Sequence, residues 1–452
     1  MSGSPGSGRR VAIVGSGPAG FYAADFLLKA GFGVDLYERL PAPFGLVRYG
    51  VAPDHQTIKR VAAAFERTAK QPGFRFQGNV EIGRDLAMEE LRRAYHAVVL
   101  AYGAATDRRL GVPGEDLAGS HAATAFVAWY NSHPDHEQDS YDLSHERAVI
   151  VGMGNVALDV ARVLIRKPEE LQVTDIADAA LTALRASRVR EVVLLGRRGP
   201  AEAAFDQGEL ADIVALEGVE VTVEGDVSFA VPDGAEAAMR KNAEYLATLP
   251  REMSGKAERR VRLRFLASPL ELGGEGGHVQ AIRFEDNELV ESGGRISARG
   301  TGRVHELATG LVVRSIGYQG MPLPGTPFDA KRAVVPNQAG RVVGTDGGPM
   351  PGLYVTGWIK RGPSGLIGTN KACAKETTDG LVADVEKLPT PTLDPAALAE
   401  LLAERRVRVV DYDAWHAIDA AEAARGAPKG KVRDKFTSVA ELLAAAGGTL
   451  PS

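Results

Sequence analysis

Two apolar runs, each followed by a glycine-rich turn and an apolar helical period, constrain this chain more than any other feature. The first reads Arg10-Val-Ala-Ile-Val-Gly15, then Ser16-Gly17-Pro18-Ala19-Gly20, then a helical pattern from Phe21 to Leu28. The second reads Arg147-Ala-Val-Ile-Val-Gly152, then Met153-Gly154-Asn155-Val156-Ala157, then an apolar helix through Ile165. Strand, tight turn and helix in that order open a βαβ unit. The glycine spacing lets backbone and a helix N-terminus approach a pyrophosphate closely. A lone G-x-G-x-x-G is weak, because glycines also mark turns that hold nothing. Two of them, each in its strand–helix frame, predict an α/β protein with two Rossmann-like dinucleotide-binding domains.

The end of the next strand tells the two apart. Gly33-Val-Asp-Leu-Tyr-Glu38 ends on an acid, which accepts hydrogen bonds from a ribose diol and repels a 2′-phosphate. Gly15, Gly17, Gly20 and Glu38 therefore suit FAD or NAD. Glu191-Val-Val-Leu-Leu-Gly196 runs instead into Arg197-Arg198. Alone, that pair reads as a solvated surface feature. At the ribose-reading position of a second fingerprint (Gly152, Gly154, Ala157), two permanently charged forks favour NADP. Arg197 lies about twice the usual ~20 residues beyond the fingerprint. The excess falls in Lys167–Arg188, a charged and helical insertion. FAD at the first site and NADP(H) at the second would allow hydride transfer from nicotinamide C4 to flavin N5 across a ring stack of ~3.5 Å.

Gly/Pro-rich hinges follow the strand-like runs Val98–Leu100 and Leu311–Ile316, so the NADP domain is expected to be inserted into the FAD domain. The boundaries read as 1–105 for the first part of the FAD domain and 106–327 for the NADP domain. The second part of the FAD domain, 328–452, would end in an Ala/Leu/Glu-rich helical tail from Leu393. The chain carries 53 basic and 58 acidic residues, a net charge of −5, which argues against general nucleic-acid binding. Its apolar runs are strand-length, too short to span a bilayer. Residues 1–8 show neither a secretory nor a transit pattern and read as a disordered lead-in, which leaves the cytoplasm as the expected address. A single cysteine, Cys373, excludes an intrachain disulfide, a redox-active cysteine pair and a four-thiolate iron–sulfur site. Reduced flavin must then deliver its electrons to an external acceptor.

At this point the sequence resembles the adrenodoxin-reductase-like NADPH–ferredoxin reductases, over about Val11 to Leu443. The most specific residues run Pro43-Phe-Gly-Leu-Val-Arg-Tyr-Gly-Val-Ala-Pro-Asp-His55, Gly152-Met-Gly-Asn-Val-Ala-Leu-Asp-Val-Ala-Arg162 and Gly196-Arg-Arg-Gly-Pro200. Gly357-Trp-Ile-Lys-Arg-Gly-Pro-Ser-Gly-Leu-Ile-Gly-Thr-Asn-Lys371 is equally telling. The resemblance implies hydride transfer from NADPH to FAD, then single-electron transfer to an iron–sulfur ferredoxin. It implies FAD held through Gly15–Gly20, Glu38, Leu46, Trp358, Gly365, Leu366 and Ile367. It implies NADP held through Asn155, Val156, Ala157, Leu158, Arg197, Arg198 and Glu209, with Arg108 touching the nucleotide and Gly365 near the nicotinamide. It places His55 beside the ring stack, in a supporting role that orients a ring or relays a proton. Asp159, on an apolar helix, reads either as a partner for such a residue or as a buried structural acid. Asp212 stands where the family carries a glutamate, so its carboxylate reaches one methylene less far.

Basic residues gather at Arg240-Lys241 and at Arg251, Lys256, Arg259, Arg260, Arg262 and Arg264. They form either a solvated face or a docking surface for an acidic ferredoxin. In a net acidic chain, a local concentration of this kind favours docking by electrostatic steering. The rival activities are a flavin-dependent monooxygenase and an NADPH-dependent diaphorase or quinone reductase. A non-enzymatic NADP-sensing protein is the rival from outside catalysis.

Overall fold

The computed structural model describes residues 4–225, 227–232, 234–292 and 295–447. They divide into two compact units. The first comprises residues 1–106, 131–137 and 318–452, and the second residues 107–130 and 138–317. The backbone thus changes unit after Thr106 and after Gly317, and a short stretch of the intervening chain, Asn131–Glu137, belongs to the first unit.

The first unit is built on a seven-stranded sheet. In spatial order its strands are Asn337–Gln338, Arg341–Val343, Pro349–Val355, Ala97–Leu100, Arg10–Val14, Gly33–Glu38 and Phe74–Gly78. From Pro349–Val355 to Phe74–Gly78 every pairing is parallel, and only the far edge is antiparallel. Side chains alternate across a strand, and both faces of this sheet are covered. Val11 and Ile13 enter one apolar core, while Ala12 and Val14 enter the other. This two-sided burial is why the strand reads as an unbroken apolar run. Each buried valine or isoleucine side chain contributes about 2 kcal/mol on leaving water. Helix Pro18–Lys29 covers one face with Ala19, Phe21, Ala23, Ala24 and Leu27, and packs on the long helix Ile367–Ala383. The tail is helical, at Pro395–Glu404, Tyr412–Gly426 and Val439–Ala445.

The second unit repeats the plan with six parallel strands. Their order is Ser120–Ala122, Leu311–Arg314, Arg147–Val151, Glu191–Leu195, Arg259–Arg264 and Val219–Glu224. Ala148 and Ile150 face the core beneath helix Asn155–Ile165, and Val149 and Val151 face a second core. That second core is closed by an antiparallel sheet of Ala267–Gly273, Ala281–Ser292 and Arg295–Ala308, which the sequence reading did not anticipate. Lys167–Arg188 holds the helices Pro168–Gln172 and Asp178–Arg185, which accounts for the long spacing to Arg197.

Residues 1–8 require a correction in part. Met1–Gly3 lie outside the described residues. Ser4–Gly8 form a docked turn rather than a disordered lead-in. Gly6 is buried, its N–H donates to the Ala30 carbonyl (2.9 Å), and a Cβ there would collide with Phe32.

A very tight backbone approach in the first unit lies where the helix meets the glycine turn: a Cβ on Gly20 would sit 2.0 Å from the Gly15 carbonyl oxygen. The helix would have to move outward to admit a methyl group. Gly20→Ala is expected to destabilise the cofactor-free protein by roughly 1–3 kcal/mol, measured as a lowered melting temperature by circular dichroism.

Candidate functional site

The two glycine turns are built alike, each held between the strand ends on either side. In the first, the Gly15 N–H donates to the Tyr37 carbonyl (2.8 Å), and the Ala101 N–H donates to Val14 (2.8 Å). A Cβ on Gly15 would lie 2.6 Å from the Tyr102 Cα. In the second, the Gly152 N–H donates to Leu195 (2.9 Å), the Ser315 N–H donates to Val151 (2.8 Å), and a Cβ on Gly152 would lie 2.1 Å from the Ser315 carbonyl oxygen. Outer glycines are therefore demanded by the protein's own packing.

The middle glycines are different. Gly17 has φ −73° and Gly154 has φ −113°, values any residue adopts. A Cβ at either position would meet no atom within 4 Å. Neither backbone conformation nor packing requires glycine there. Close approach of a ligand to a helix N-terminus would require it, and both turns have the open space that a pyrophosphate needs.

Around the first turn, Glu38 ends its strand with one carboxylate oxygen accepting from the Ser16 N–H (3.0 Å) and the Ser16 hydroxyl (2.7 Å). Its other oxygen accepts from the Leu40 N–H (3.2 Å). The carboxylate is thereby fixed in direction while keeping lone pairs for a ribose diol. Two further segments close on the turn. The Phe44 N–H donates to the Ser16 carbonyl (3.1 Å), and a Cβ on Gly45 would come 3.1 Å from the Gly17 Cα, which places Leu46 beside the fingerprint. A Cβ on Gly357 would come 2.6 Å from the Ala19 Cβ, which places Trp358 there too, its indole N–H donating to the Ser364 carbonyl (3.2 Å). Gly365 has φ +78°, and Leu366 caps the helix that Ile367 begins. Leu46 is 36% exposed and Leu366 58%, two leucines left facing out where an apolar ring system would cover them. His55 caps the short helix Gln56–Lys59 in the same unit and is half-buried.

In the second unit, Asn155 and Asp206 clasp each other: the Asn155 amide donates to the Asp206 carboxylate (3.0 Å), and the Asp206 N–H donates back (2.7 Å). Two turns further along the helix, Arg162 is fully buried and donates to Asp159 (2.6 Å) and to Glu209 (3.2 Å). Asp159 is thus a partner of Arg162. These contacts tie helix Asn155–Ile165 to helix Gln207–Val214, with Asp212 exposed on the latter. Val156 is half-buried. Ala157 and Leu158 are core residues whose N–H groups are spent on the Gly154 carbonyl (3.0 and 3.2 Å), so Leu158 offers a ligand neither side chain nor N–H. Arg108 is exposed, its N–H donating to Gly317 (3.0 Å).

Arg197 and Arg198 are both exposed. Their carbonyls are pinned by the Asn287 amide (2.8 Å) and the Leu266 N–H (3.1 Å). Neither guanidinium has an ion-pair or hydrogen-bond partner among the described residues, unlike most arginines of this unit. Arg262 pairs with Glu191 (3.3 Å) and Glu224 (2.5 Å), Arg264 with Asp286, and Arg259 donates to the Ile165 carbonyl (2.8 Å). The wider basic cluster is therefore corrected: those three belong to strand pairing and internal neutralisation, whereas Arg240 and Lys241 are exposed on helix Ala237–Ala247. Sequence reasoning missed the clasp of Asp206 and the role of Arg162. Arg162 was nonetheless legible as a charge three residues after Asp159 in an apolar helix.

With fold and turns in place, comparison with known proteins gives a consistent answer. The chain belongs to the pyridine nucleotide-disulphide oxidoreductase family, whose model matches residues 9–235. Within that family it is 49% identical over 451 residues to a probable ferredoxin/ferredoxin–NADP reductase of Mycobacterium tuberculosis, covering 96% of this chain and 75% of that one. It is 43% identical to the mitochondrial NADPH:adrenodoxin oxidoreductase of Arabidopsis thaliana, covering 96% and 95%. The solved structure of Mycobacterium tuberculosis FprA in complex with NADPH superposes with a TM-score of 0.92 at 45% identity, over 97% of this chain and 100% of that one. Despite the family's title, this chain has one cysteine, and it is buried.

Because neither packing nor backbone conformation requires glycine at positions 17 and 154, their replacement separates folding from binding. Gly17→Ala should leave the melting temperature of the cofactor-free protein unchanged and weaken FAD by about tenfold, a loss of ~1.4 kcal/mol. Gly154→Ala should do the same for NADP⁺ alone. Titration of each nucleotide against each variant checks both.

Proposed function

We propose that this chain is an FAD-dependent NADPH–ferredoxin oxidoreductase, taking hydride from NADPH and passing electrons singly to an iron–sulfur ferredoxin. The observation that carries the reading is the contrast between two turns of the same plan. The strand after one ends in a fixed carboxylate, Glu38, and the strand after the other runs into Arg197 and Arg198, whose guanidiniums have no partner among the described residues. Relatives named for this activity, FprA among them, support it over nearly the whole chain.

Bound FAD supplies a two-electron acceptor that can release electrons one at a time. Gly15, Gly17 and Gly20 let the N-terminus of helix Pro18–Lys29 face its pyrophosphate, and Glu38 accepts from its adenosine ribose. Leu46, Trp358 and the segment Gly365, Leu366, Ile367 would hold its ring system, and main-chain N–H groups of that segment would stabilise the negative charge that reduction adds. Gly152, Gly154, Asn155 and Val156 hold the NADP pyrophosphate, and Arg197 and Arg198 grip the 2′-phosphate as bidentate forks. Buried Arg162 sets the direction of Asp159 and Glu209. His55 and Asp212 take supporting roles, since hydride transfer requires no general base. Cys373 receives the Gly357 N–H (3.3 Å) and has no thiol partner with which to cycle. The electrons therefore leave the chain.

The same proposal assigns a cytoplasmic address and an acidic ferredoxin docking at Arg240 and Lys241. No helix among the described residues is long and apolar enough to cross a membrane.

Stopped-flow mixing with NADPH, followed by transfer to ferredoxin, tests the reading. Rapid flavin bleaching and ferredoxin reduction are expected, and NADPH consumption coupled to oxygenated product would instead indicate a monooxygenase. Replacing Arg197 and Arg198 by serine should lower kcat/KM for NADPH on the order of 10²-fold, mainly through KM, with NADH little changed. If the unaltered protein uses both nucleotides equally, the arginine assignment is wrong. Changing Arg240 and Lys241 to glutamate should raise KM for ferredoxin and flatten its salt dependence, leaving flavin reduction by NADPH intact. Unaltered ferredoxin kinetics would move the docking site elsewhere.

A further inference from the structure

The turn Phe44–Tyr49 lies against the first fingerprint, yet the contacts that fix it come from the far end of the chain. Phe44 has φ 84°, a conformation a bulky L-residue adopts only when its surroundings enforce it. Ahead of it is the Ser16–Gly17 loop already described. Behind it stands Arg48, whose side chain is 5% exposed and donates to Glu422 (2.5 Å), itself 0% exposed on helix Tyr412–Gly426. The same Glu422 oxygen accepts from the Phe436 N–H (3.0 Å), and its other oxygen lies 3.6 Å from Arg433. The Lys435 ammonium donates to the Arg48 carbonyl (3.1 Å). The guanidinium sits 5.0 Å from the Tyr49 ring and 5.2 Å from the Trp415 ring, and Trp415 meets Phe44 edge-on at 5.7 Å.

A buried ion pair is a weak source of stability, since desolvation consumes most of the Coulomb gain. This one also leaves the Arg48 Nε and the Trp415 indole N–H buried without a hydrogen-bond partner among the described residues. This pair does define geometry, because one short Nη2–Oε1 hydrogen bond joins the two side chains while the flat guanidinium is held against the Tyr49 and Trp415 rings. The geometry it defines is that of the turn from Phe44 to Tyr49, which carries Leu46 and presses Gly45 onto Gly17.

We infer that Glu422 is a positioning residue for the flavin: through Arg48 it holds the Phe44–Tyr49 turn against the fingerprint, so that residues 412–436 complete the FAD site without touching it. The inference rests on FAD occupying the Gly15–Gly20 turn. Stoichiometric FAD binding by the unaltered apoprotein is therefore measured first, and its failure would refute the cofactor reading itself.

The test compares Glu422→Gln and the double variant Arg48→Met/Glu422→Leu with the unaltered apoprotein. The readouts are the dissociation constant for FAD, the visible circular dichroism of the bound flavin, the dissociation constant for NADP⁺ and the melting temperature without cofactor. Glu422→Gln should raise the FAD dissociation constant by about tenfold or more and change the flavin dichroism, with NADP⁺ affinity unmoved. The double variant, which removes both members of the buried pair, should keep or raise the cofactor-free melting temperature yet bind FAD as weakly. Arg48→Lys, which retains the charge but not the flat guanidinium held against two rings, should fall between. A folded Glu422→Gln with unaltered FAD affinity and dichroism overturns the proposal. If that variant does not fold, the double variant decides: a native melting temperature with unaltered FAD affinity overturns it equally. Failure of both to fold would make the pair a stability element and end the positioning role.

Discussion

Each dinucleotide turn depends on one constraint: main-chain atoms packed so closely that no side chain fits between them. Gly15 is wedged against Ala101 and Tyr102, Gly20 lies against the Gly15 carbonyl, and Gly152 lies against Ser315. These contacts seat a helix N-terminus at the carboxyl end of a central strand, where its partial positive charge and its free N–H groups face outward. Once that seat is fixed, the flanking strand of one unit ends on Glu38, and that of the other, ending at Leu195, runs through Gly196 into Arg197. An acid at one strand end and arginines just beyond the other are the main chemical contrast between the two turns.

The distribution of charge follows the same division of labour. Several arginines packed into the second unit are neutralised by neighbouring carboxylates, as Arg162, Arg262 and Arg264 show. Arg197 and Arg198 are held by their carbonyls and have no counter-ion among the described residues. Keeping two like charges adjacent and unpaired opposes stability slightly, and that cost is consistent with a multiply charged anion as the missing partner. Glu38 shows the converse arrangement, a carboxylate whose direction is set by three donors before any ligand arrives.

How much of this was legible in the sequence depended on whether the signal was local. Strand, turn and helix at Arg10–Gly20 and Arg147–Ala157 follow from periodicity and glycine spacing alone. So does the acid-versus-arginine contrast, because the reading residue sits at a fixed place in the βαβ unit. The antiparallel sheet of Ala267–Ala308 escaped because its strands are only half apolar and its pairing partners are set by a tertiary neighbour, the outer face of Val149 and Val151. The docked turn at Ser4–Gly8 escaped because its glycine- and serine-rich composition is what a disordered segment also shows. Lone sequence positions such as Glu422 carried no local sign of their partner, since an ion pair spanning most of the chain leaves no spacing to read.

That span has a consequence for how the protein is made. Synthesis proceeds from the N-terminus, so the second unit, ending at Gly317, has all its residues while the first still lacks the strand Pro349–Val355 that pairs with Ala97–Leu100. Beyond that strand, the residues that brace the Phe44–Tyr49 turn arrive only between Tyr412 and Phe436. The Gly15–Gly20 fingerprint is therefore synthesised long before the segment that fixes the turn beside it, and the site is finished only once Phe436 has been added.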